Sequence, residues 1–297
     1  MPAKKAIQSH SKQRGPRLSS PRLSSTRLAS TGMASSDLRI SIDTGGTFTD
    51  CVFHDGASLR MLKVRSTPAD PSLAIVTAIR EAVHLVTGPH PRMDIRHGTT
   101  VGTNTLLERK GARTAFVTTL GFEDSIVIGR QARARIYDWF QPAPQSLCPD
   151  GLRFGIAERI GPQGQVIEPI TEKNLLALVE QLRAARPESI ALSLLFSFAN
   201  PAHERRVATA LQTLDVPVSI SYEILPEFRE YERASTVAIN AYLAPKMGRY
   251  LTGLRQSVAA EFPGAGLHVM QSSGGIVGAE LSSSSPARST RPRRPRP

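Results

Sequence analysis

The stretch that decides the fold runs from Ile40 to Val52 and reads Ile-Ser-Ile-Asp-Thr-Gly-Gly-Thr-Phe-Thr-Asp-Cys-Val. Apolar and polar residues alternate at its start and an apolar run resumes at Cys51, so the pattern predicts two β-strands joined at Gly45 and Gly46. Glycines permit positive φ and leave no Cβ in the way of a ligand. The stretch therefore predicts a tight hairpin whose turn can hold phosphate, with an ordinary hairpin turn as the alternative.

Hydroxyl and carboxylate groups surround the two glycines. Thr44, Thr47 and Thr49 supply hydroxyls, and Asp43 and Asp50 bracket the turn. Such carboxylates hold Mg²⁺ directly or through water. We therefore expect a phosphate and metal site at this turn.

The rest of the chain alternates β-like runs with amphipathic helical stretches, which is typical of an α/β fold. Short segments at 115–118, 189–196, 216–221 and 267–270 are predicted to be strands. Helices are predicted at 71–86, at a short segment capped by Thr103 or Asn104 and ended by Gly111, and at 175–185, 201–214 and 235–261.

The 297-residue chain has a formal net charge of +12, which by itself suggests a nucleic-acid partner. Twelve of its 37 basic residues lie in residues 1–36 and 288–297, where there is no acidic residue, so 25 basic residues remain against 25 acidic ones. The body of the chain is therefore neutral. This distribution argues against a specific nucleic-acid site, although a basic arm can bind polyanions non-specifically.

Two cysteines, Cys51 and Cys148, are too few for a disulfide framework or a zinc site of their own. A reduced, cytoplasmic setting is the simplest interpretation. The longest strongly apolar run, residues 190–199, is about half the roughly 20 residues that cross a bilayer, so no membrane span is expected.

Both ends of the chain are low in complexity. Residues 17–31 repeat an Arg-Leu-Ser-Ser-Pro-like pentad three times, and residues 1–36 are predicted to be a disordered tail. Met33 as the true start, a transit peptide and a functional arm all remain open for it. Residues 282–297 are predicted to be a second disordered basic tail, with a frameshift product as one explanation and a genuine tail as the other.

Three blocks of sequence resemble the hydantoinase A and 5-oxoprolinase family, within the actin, Hsp70 and sugar-kinase superfamily. The first is Asp43–Asp50, the second His97–Gly111 and the third Leu225–Arg233. The resemblance implies an actin-like ATPase, ribonuclease H-like α/β domain at residues 37–225. It also implies that residues 226–281 are the incomplete start of a second domain, the core of hydantoinase A, cut short before a second phosphate loop.

The resemblance also implies an activity, the ATP-dependent opening of a cyclic amide such as a hydantoin or 5-oxoproline. In such a reaction ATP phosphorylates the ring amide carbonyl before hydrolysis. ATP and Mg²⁺ are then the expected cofactors, and a hydantoinase B-type subunit is a candidate partner. A ketone carboxylase subunit and an inactive truncated remnant are the alternatives.

Specific residues receive roles on this reasoning. Asp43 would orient Mg²⁺, with Asp50 as a second carboxylate behind it or as a structural cap of the turn, while His97 and Thr99 would face the phosphates or the substrate. A structural His-Gly turn is the alternative for His97. Arg130 and Gln131 offer a charged fork and an amide to a carboxylate or carbonyl, or form a solvated loop. The list of residues expected to bind the nucleotide is Thr44, Gly45, Gly46, Thr47 and Thr49.

Overall fold

The structure is a computed structural model that describes residues 37–67, 70–86, 92–131, 137, 140, 145–270 and 275–279. The two predicted basic tails, 1–36 and 282–297, lie outside the described residues. No helix in these ranges combines the length and the apolar composition needed to cross a membrane.

A six-stranded mixed sheet contains the hairpin predicted at the first block. Its strand order is β12-β11-β4-β1-β2-β3. Strands β1, β2 and β3 are antiparallel neighbours, β4 and β11 add parallel strands beside β1, and β12 closes that edge antiparallel to β11. The strands are β1 (Leu38–Thr44), β2 (Phe48–His54), β3 (Leu59–Arg65), β4 (Met93–Thr99), β11 (Gly266–Met270) and β12 (Ile276–Gly278).

Strand β1 shows why this part of the chain is extended. Leu38, Ile40 and Ile42 are buried while the residues between them are exposed, as expected where one face of a sheet packs on a core. The buried face packs against helix α1 (Pro71–His84) and against Leu254 and Val258 of helix α7 (Glu230–Glu261). The helix predicted at 71–86 is confirmed within two residues.

A second sheet of four parallel strands lies between β4 and β11 in the sequence. Its order is β10-β9-β5-β6. Helices α4 and α5 cover one face and the first half of α7 covers the other, so β9 is buried on both faces. The strands are β5 (Thr114–Thr119), β6 (Arg153–Ile156), β9 (Ser189–Leu192) and β10 (Val218–Ile220), and the helices are α4 (Glu172–Ala185) and α5 (Ala202–Leu211).

The remaining elements are short. Strands β7 and β8 pair antiparallel beside the second sheet. They are β7 (Arg159–Ile160) and β8 (Val166–Glu168), and the short helices are α2 (Val101–Leu107), α3 (Ser125–Ile128) and α6 (Ser221–Ile224).

The predicted bounds differ most from the structure in three elements. Helix α2 ends at Leu107, four residues before Gly111, and it begins directly after Thr100 rather than at residue 103 or 104. Strand β9 ends at Leu192 rather than at Phe196. Helix α7 begins at Glu230, five residues before the predicted start, and runs for 32 residues through Pro245. Its length lets one helix contact both sheets, which positions the site described next.

Candidate functional site

The turn between β1 and β2 is closed by its own backbone. The Gly45 N–H donates to the Phe48 carbonyl at 3.0 Å. Neither Gly45 nor Gly46 has a positive φ, so the expected left-handed backbone is not the reason for two glycines here. A different constraint must explain each of them.

The two glycines differ in the atoms that an added Cβ would meet. A Cβ on Gly45 would lie 3.0 Å from the Phe48 carbonyl oxygen, so a side chain there would crowd the closed turn. A Cβ on Gly46 would meet no atom within 4 Å. In the part of the chain that the structure describes, the amides of Gly46 and Thr47 have no hydrogen-bond acceptor. Gly46 therefore presents its backbone to open space, where a ligand can approach it.

Ser66, just after β3, fixes the turn from the side. Its N–H donates to the Thr47 carbonyl at 3.0 Å and its hydroxyl donates to the Gly45 carbonyl at 2.8 Å. The buried Thr49 hydroxyl lies 3.0 Å from the Ser66 hydroxyl. Thr49, expected to bind the nucleotide, thus has a structural partner in this network.

A cleft of about 780 Å³ opens beside the turn. The turn and the start of α1 form one side, α2 lies at one end, and a row of α7 side chains faces them. That row has helical spacing and carries two cations, Lys246 and Arg249. The α7 residues on the cleft are Lys246, Arg249, Tyr250, Gly253, Gln256 and Ser257.

The charges of the cleft are only partly neutralised. Lys110 forms an ion pair with Glu108 at 2.8 Å, and Lys110 followed by Lys246 lowers the pKa of Glu108. Arg249 is exposed and makes no ion pair with any described residue. A phosphate in this cleft would therefore meet cations as well as amides.

Thr44 adds an unsatisfied polar atom to the cleft wall. Its hydroxyl is buried and has no hydrogen-bond partner among the described residues, while its carbonyl accepts a bond of 3.2 Å from the Thr100 hydroxyl. A buried hydroxyl without a partner is rare in folded proteins. The cleft wall thus contains a polar atom that the described residues leave without a partner below the accessible surface.

The two predicted metal carboxylates lie on the other face of the sheet from Thr44. Asp43 and Asp50 pair directly across β1 and β2, so their side chains share the exposed face. Asp50 makes an ion pair with Lys63 at 3.1 Å. A Cβ on Gly98 would lie 3.2 Å from Asp43 Oδ1, so the glycine makes room for that carboxylate. No group of three or more His, Cys, Asp or Glu side chains suited to a metal occurs among the described residues.

His97 is not brought to the cleft. Its side chain is fully buried, Nε2 lies 2.6 Å from the Tyr250 hydroxyl, and the two rings meet edge to face. Burial lowers the pKa of His97 to about 4, so the imidazole is neutral near pH 7. The neighbouring Thr99 hydroxyl accepts a bond from the Val101 N–H at 3.2 Å. Both residues thus support the cleft wall from behind, through Tyr250 and the start of α2.

Sequence reasoning missed Ser66 and the α7 side of the cleft. Lys246, Arg249 and Tyr250 are more than 190 residues from the glycine turn, and nothing local links them to it. Their spacing of three and four residues within a predicted long helix was the available signal. It indicates one helical face but not which element that face meets.

The family model for the hydantoinase/oxoprolinase N-terminal region matches residues 39–214, which include the turn and three of the four strands of the second sheet. The chain belongs to the hydantoinase/oxoprolinase family. A second model of this family, hydantoinase/oxoprolinase, matches residues 233–290. The predicted resemblance is confirmed, while the domain boundary placed at residue 225 stays a prediction.

The chain is similar to a caprolactamase subunit, a carboxylase subunit and a 5-oxoprolinase. The caprolactamase subunit alpha of Pseudomonas jessenii is 34% identical over 253 residues, and the crystal structure of the ATP-dependent caprolactamase from that organism superposes with a TM-score of 0.71 over 81% of this chain. The acetophenone carboxylase gamma subunit of Aromatoleum aromaticum is 36% identical over 70% of this chain, and 5-oxoprolinase 1 of Arabidopsis thaliana is 33% identical over 81%. The hydantoinase/oxoprolinase chain has the actin-like α/β fold that was predicted.

The match covers much less of the relatives than of this chain. It spans 36% of the caprolactamase subunit, 31% of the carboxylase subunit and 21% of the plant oxoprolinase. The activity of those longer proteins therefore enters only as a proposal.

Proposed function

We propose that the cleft beside the Gly45–Gly46 turn binds the phosphates of ATP. The chain would then be the nucleotide-binding N-terminal part of an ATP-dependent cyclic amidohydrolase of the hydantoinase/oxoprolinase type. The observation that carries the proposal is Gly46, whose amide has no acceptor among the described residues. It lines a cleft that carries the cations Lys110, Lys246 and Arg249 beside the carboxylates Asp70 and Glu108. The descriptions of relatives support it, since the caprolactamase is named as ATP-dependent.

The residues present fit a nucleotide phosphate. The amides of Gly46 and Thr47 would donate to phosphate oxygens, and Lys246 and Arg249 would offset the negative charge. Gly45 would act through the shape of the turn, because its amide already donates to Phe48.

Mg²⁺ fits less completely. This ion keeps several waters and takes only one or two protein carboxylates beside the phosphates, so a full protein cage is not required. Asp43, the carboxylate expected for this ion, lies on the face of the sheet away from Thr44 and does not line the cleft. Asp50 is paired with Lys63, so an ion on phosphates in the cleft would be held by the phosphates and by water rather than by these two carboxylates. When bound, the ion would neutralise charge on the transferring phosphoryl group.

The proposed chemistry begins with a poor electrophile. The γ-phosphoryl group of ATP passes to the oxygen of a ring amide, a water adds to the carbonyl carbon, and the ring carbon–nitrogen bond breaks as the nitrogen takes up a proton. A second water then cleaves the resulting acyl phosphate, so one ATP, the cyclic amide and two waters give ADP, phosphate and the ring-opened acid. This chain would contribute the positioning of the phosphates, through Gly46 and the α7 cations. His97 has no proposed role in proton transfer, because it is buried and neutral.

The substrate and the partner are proposals of the same kind. A cyclic amide such as hydantoin or 5-oxoproline is proposed from the oxoprolinase relatives. A second subunit of the hydantoinase B type is proposed because the caprolactamase and carboxylase relatives are named as subunits. The carboxylase relative also supports a second candidate function, ATP-dependent carboxylation of a ketone.

One experiment tests the nucleotide proposal and ranks the substrates. Titration calorimetry of the full chain with ATP and Mg²⁺ is expected to show saturable binding that is lost when Lys246 and Arg249 are both changed to glutamine. Phosphate release would then be measured with hydantoin, 5-oxoproline, or acetone plus bicarbonate, with the proposed partner subunit added. Absence of nucleotide binding would refute the proposal. If phosphate release rises with acetone plus bicarbonate but with neither cyclic amide, the carboxylase function is favoured.

A further inference from the structure

A second cavity lies at the carboxyl edge of the four-stranded sheet. Strands β5 and β9 are neighbours, but the chain leaves β5 towards β6 on one side and leaves β9 towards β10 on the other. Parallel sheets open a crevice at such a reversal, and ligands of α/β proteins bind there. The crevice here has a volume of about 1150 Å³. Gly121 and Phe122, just after β5, and Leu195 and Phe196, after β9, line it.

Buried polar groups hold the loop after β9 in place. The Leu194 N–H donates to the Glu204 carboxylate at 2.7 Å, and the Leu194 carbonyl accepts from the Arg233 guanidinium at 2.6 Å. Next along the chain, the Leu195 N–H donates to the Thr119 hydroxyl at 3.0 Å. Glu204 and Arg233 are both almost fully buried, and burying such charges is costly unless they are satisfied.

The loop held by these hydrogen bonds contains a residue with an uncommon backbone conformation. Phe196 has a φ of 53°, in the left-handed region that bulky residues rarely adopt. Residues in such conformations persist where the surroundings over-determine them, and they concentrate at binding sites. The wall of the crevice is thus both strained and rigidly supported, which is the arrangement expected of a preorganised site.

The side chains on the crevice combine aromatic rings with arginines. The Arg159 guanidinium lies 5.1 Å from the centre of the Phe122 ring and makes no ion pair within the described ranges. Arg229 lies over Phe228 at 5.8 Å. Arginine stacked on a ring keeps its outer N–H groups free for a carboxylate.

The acidic groups nearby already have cationic neighbours. Glu232 accepts a bond of 2.8 Å from Arg130 Nε, and Arg130 is the main reason that the pKa of Glu232 is lowered. Asp124 pairs with the buried Arg153. Arg229 also contributes to the lowered pKa of Glu232 and precedes Glu230, which lines the crevice, so Arg159 is the less engaged of the two cations offered to an incoming ligand.

The crevice is remote from the phosphate cleft. Tyr231 lines the crevice and Tyr250 lines the cleft, and both lie on α7. At 1.5 Å per residue, the 19-residue step between them is about 28 Å. A ligand in the crevice cannot contact a phosphate held at Gly46.

We propose that this crevice is a second binding site, for a small organic anion with a carboxylate on an apolar or aromatic body. The carboxylate binds Arg159 and Arg229, and the apolar body packs between Phe122 and Phe196. The site does not depend on the ATP proposal. It gives a role to the Arg130 segment, whose ion pair with Glu232 neutralises that carboxylate at the rim.

The test uses benzoate as the probe and benzamide as its neutral counterpart of the same shape. Titration calorimetry of the full chain is expected to show saturable benzoate binding, with benzamide at least about tenfold weaker, since a hydrogen bond to a charged group contributes about 1.5–3 kcal/mol. Arg159→Gln and Arg229→Gln are each expected to weaken benzoate by about tenfold or more. Lys246→Gln, in the other cleft, is the matched control and should leave benzoate binding unchanged. Urea unfolding of each variant checks that the fold is kept.

Several results would overturn the proposal. These are equal binding of benzoate and benzamide, benzoate binding that both arginine variants leave intact, or no saturable binding in the millimolar range. A loss of benzoate binding in Lys246→Gln as large as that in Arg159→Gln would assign the anion to the phosphate cleft instead.

Discussion

The substitution Gly46→Ala separates binding from folding at the glycine turn. The added Cβ meets no atom within 4 Å and the backbone φ is not positive, so the stability of the fold is expected to change by no more than about 0.5 kcal/mol. The methyl group would instead occupy the space through which a phosphate approaches the amide. Losing one hydrogen bond to a charged phosphate costs about 1.5–3 kcal/mol, which is about a 10- to 160-fold rise in Kd for ATP.

Two other glycines provide the controls. A Cβ on Gly151 also meets no atom within 4 Å, and this residue lies in a short 3₁₀ turn at Asp150–Leu152 that does not line the cleft. Gly151→Ala should therefore change neither ATP binding nor stability. Gly45→Ala should lower stability, because its Cβ would lie 3.0 Å from the Phe48 carbonyl oxygen.

The assay combines titration calorimetry with ATP and Mg²⁺ and urea unfolding of the same samples. The reasoning is refuted if Gly46→Ala binds ATP within about twofold of the parent while Gly151→Ala does the same. It is also refuted if Gly46→Ala unfolds as readily as Gly45→Ala, because the open space at Gly46 would then be wrong.

Two further predictions concern buried charge. Folded His97 stays neutral down to about pH 4 while the unfolded imidazole takes up a proton near pH 6.5, so stability falls as the pH falls through this window, by up to about 3 kcal/mol. The urea midpoint should drop between pH 7 and pH 5 in the parent protein, and it should drop less in His97→Gln. An equal drop in the two proteins would contradict the assignment of a low pKa to His97. Arg233→Met is expected to lower the unfolding free energy by about 1–3 kcal/mol, because it removes the hydrogen bonds of the buried guanidinium to the Leu194 and Glu227 carbonyls. Arg130→Gln, which removes an exposed ion pair, is the control and should leave urea unfolding nearly unchanged.

The elements that sequence predicted well are those whose evidence is local. Strand β1 alternates buried and exposed residues, and α1 begins at a proline that Asp70 precedes and caps through the Ser72 N–H at 3.0 Å. Neighbouring residues alone determine such features. The hairpin and the first helix were therefore predictable within two residues.

Gly111 shows where local reasoning fails. It was interpreted as the end of α2, but a Cβ there would lie 2.1 Å from the Tyr242 ring, on a helix that begins more than 100 residues later. The glycine is required by tertiary packing. No pattern near residue 111 contains that information.

The site was predictable in part for the same reason. Thr44, Gly45 and Gly46 lie on the cleft as the hairpin pattern indicated, whereas the cations on the opposite wall come from α7. Strand alternation places Asp43 and Thr44 on opposite faces, which the sequence also contained. The position of His97 could not be predicted from the sequence. Only its contact with Tyr250 in the structure distinguishes a buried structural residue from one that faces a substrate.

The two adjacent glycines of the turn differ in the space that a side chain would find at each position. Gly45 has a carbonyl oxygen where its Cβ would be, so selection for folding alone would retain it. Gly46 has nothing there, and a residue with a side chain would reduce the conformational entropy of the unfolded chain. Folding therefore gives no reason to keep Gly46, and a ligand that approaches its backbone does. The phosphate proposal rests on this difference more than on the presence of a Gly-Gly pair.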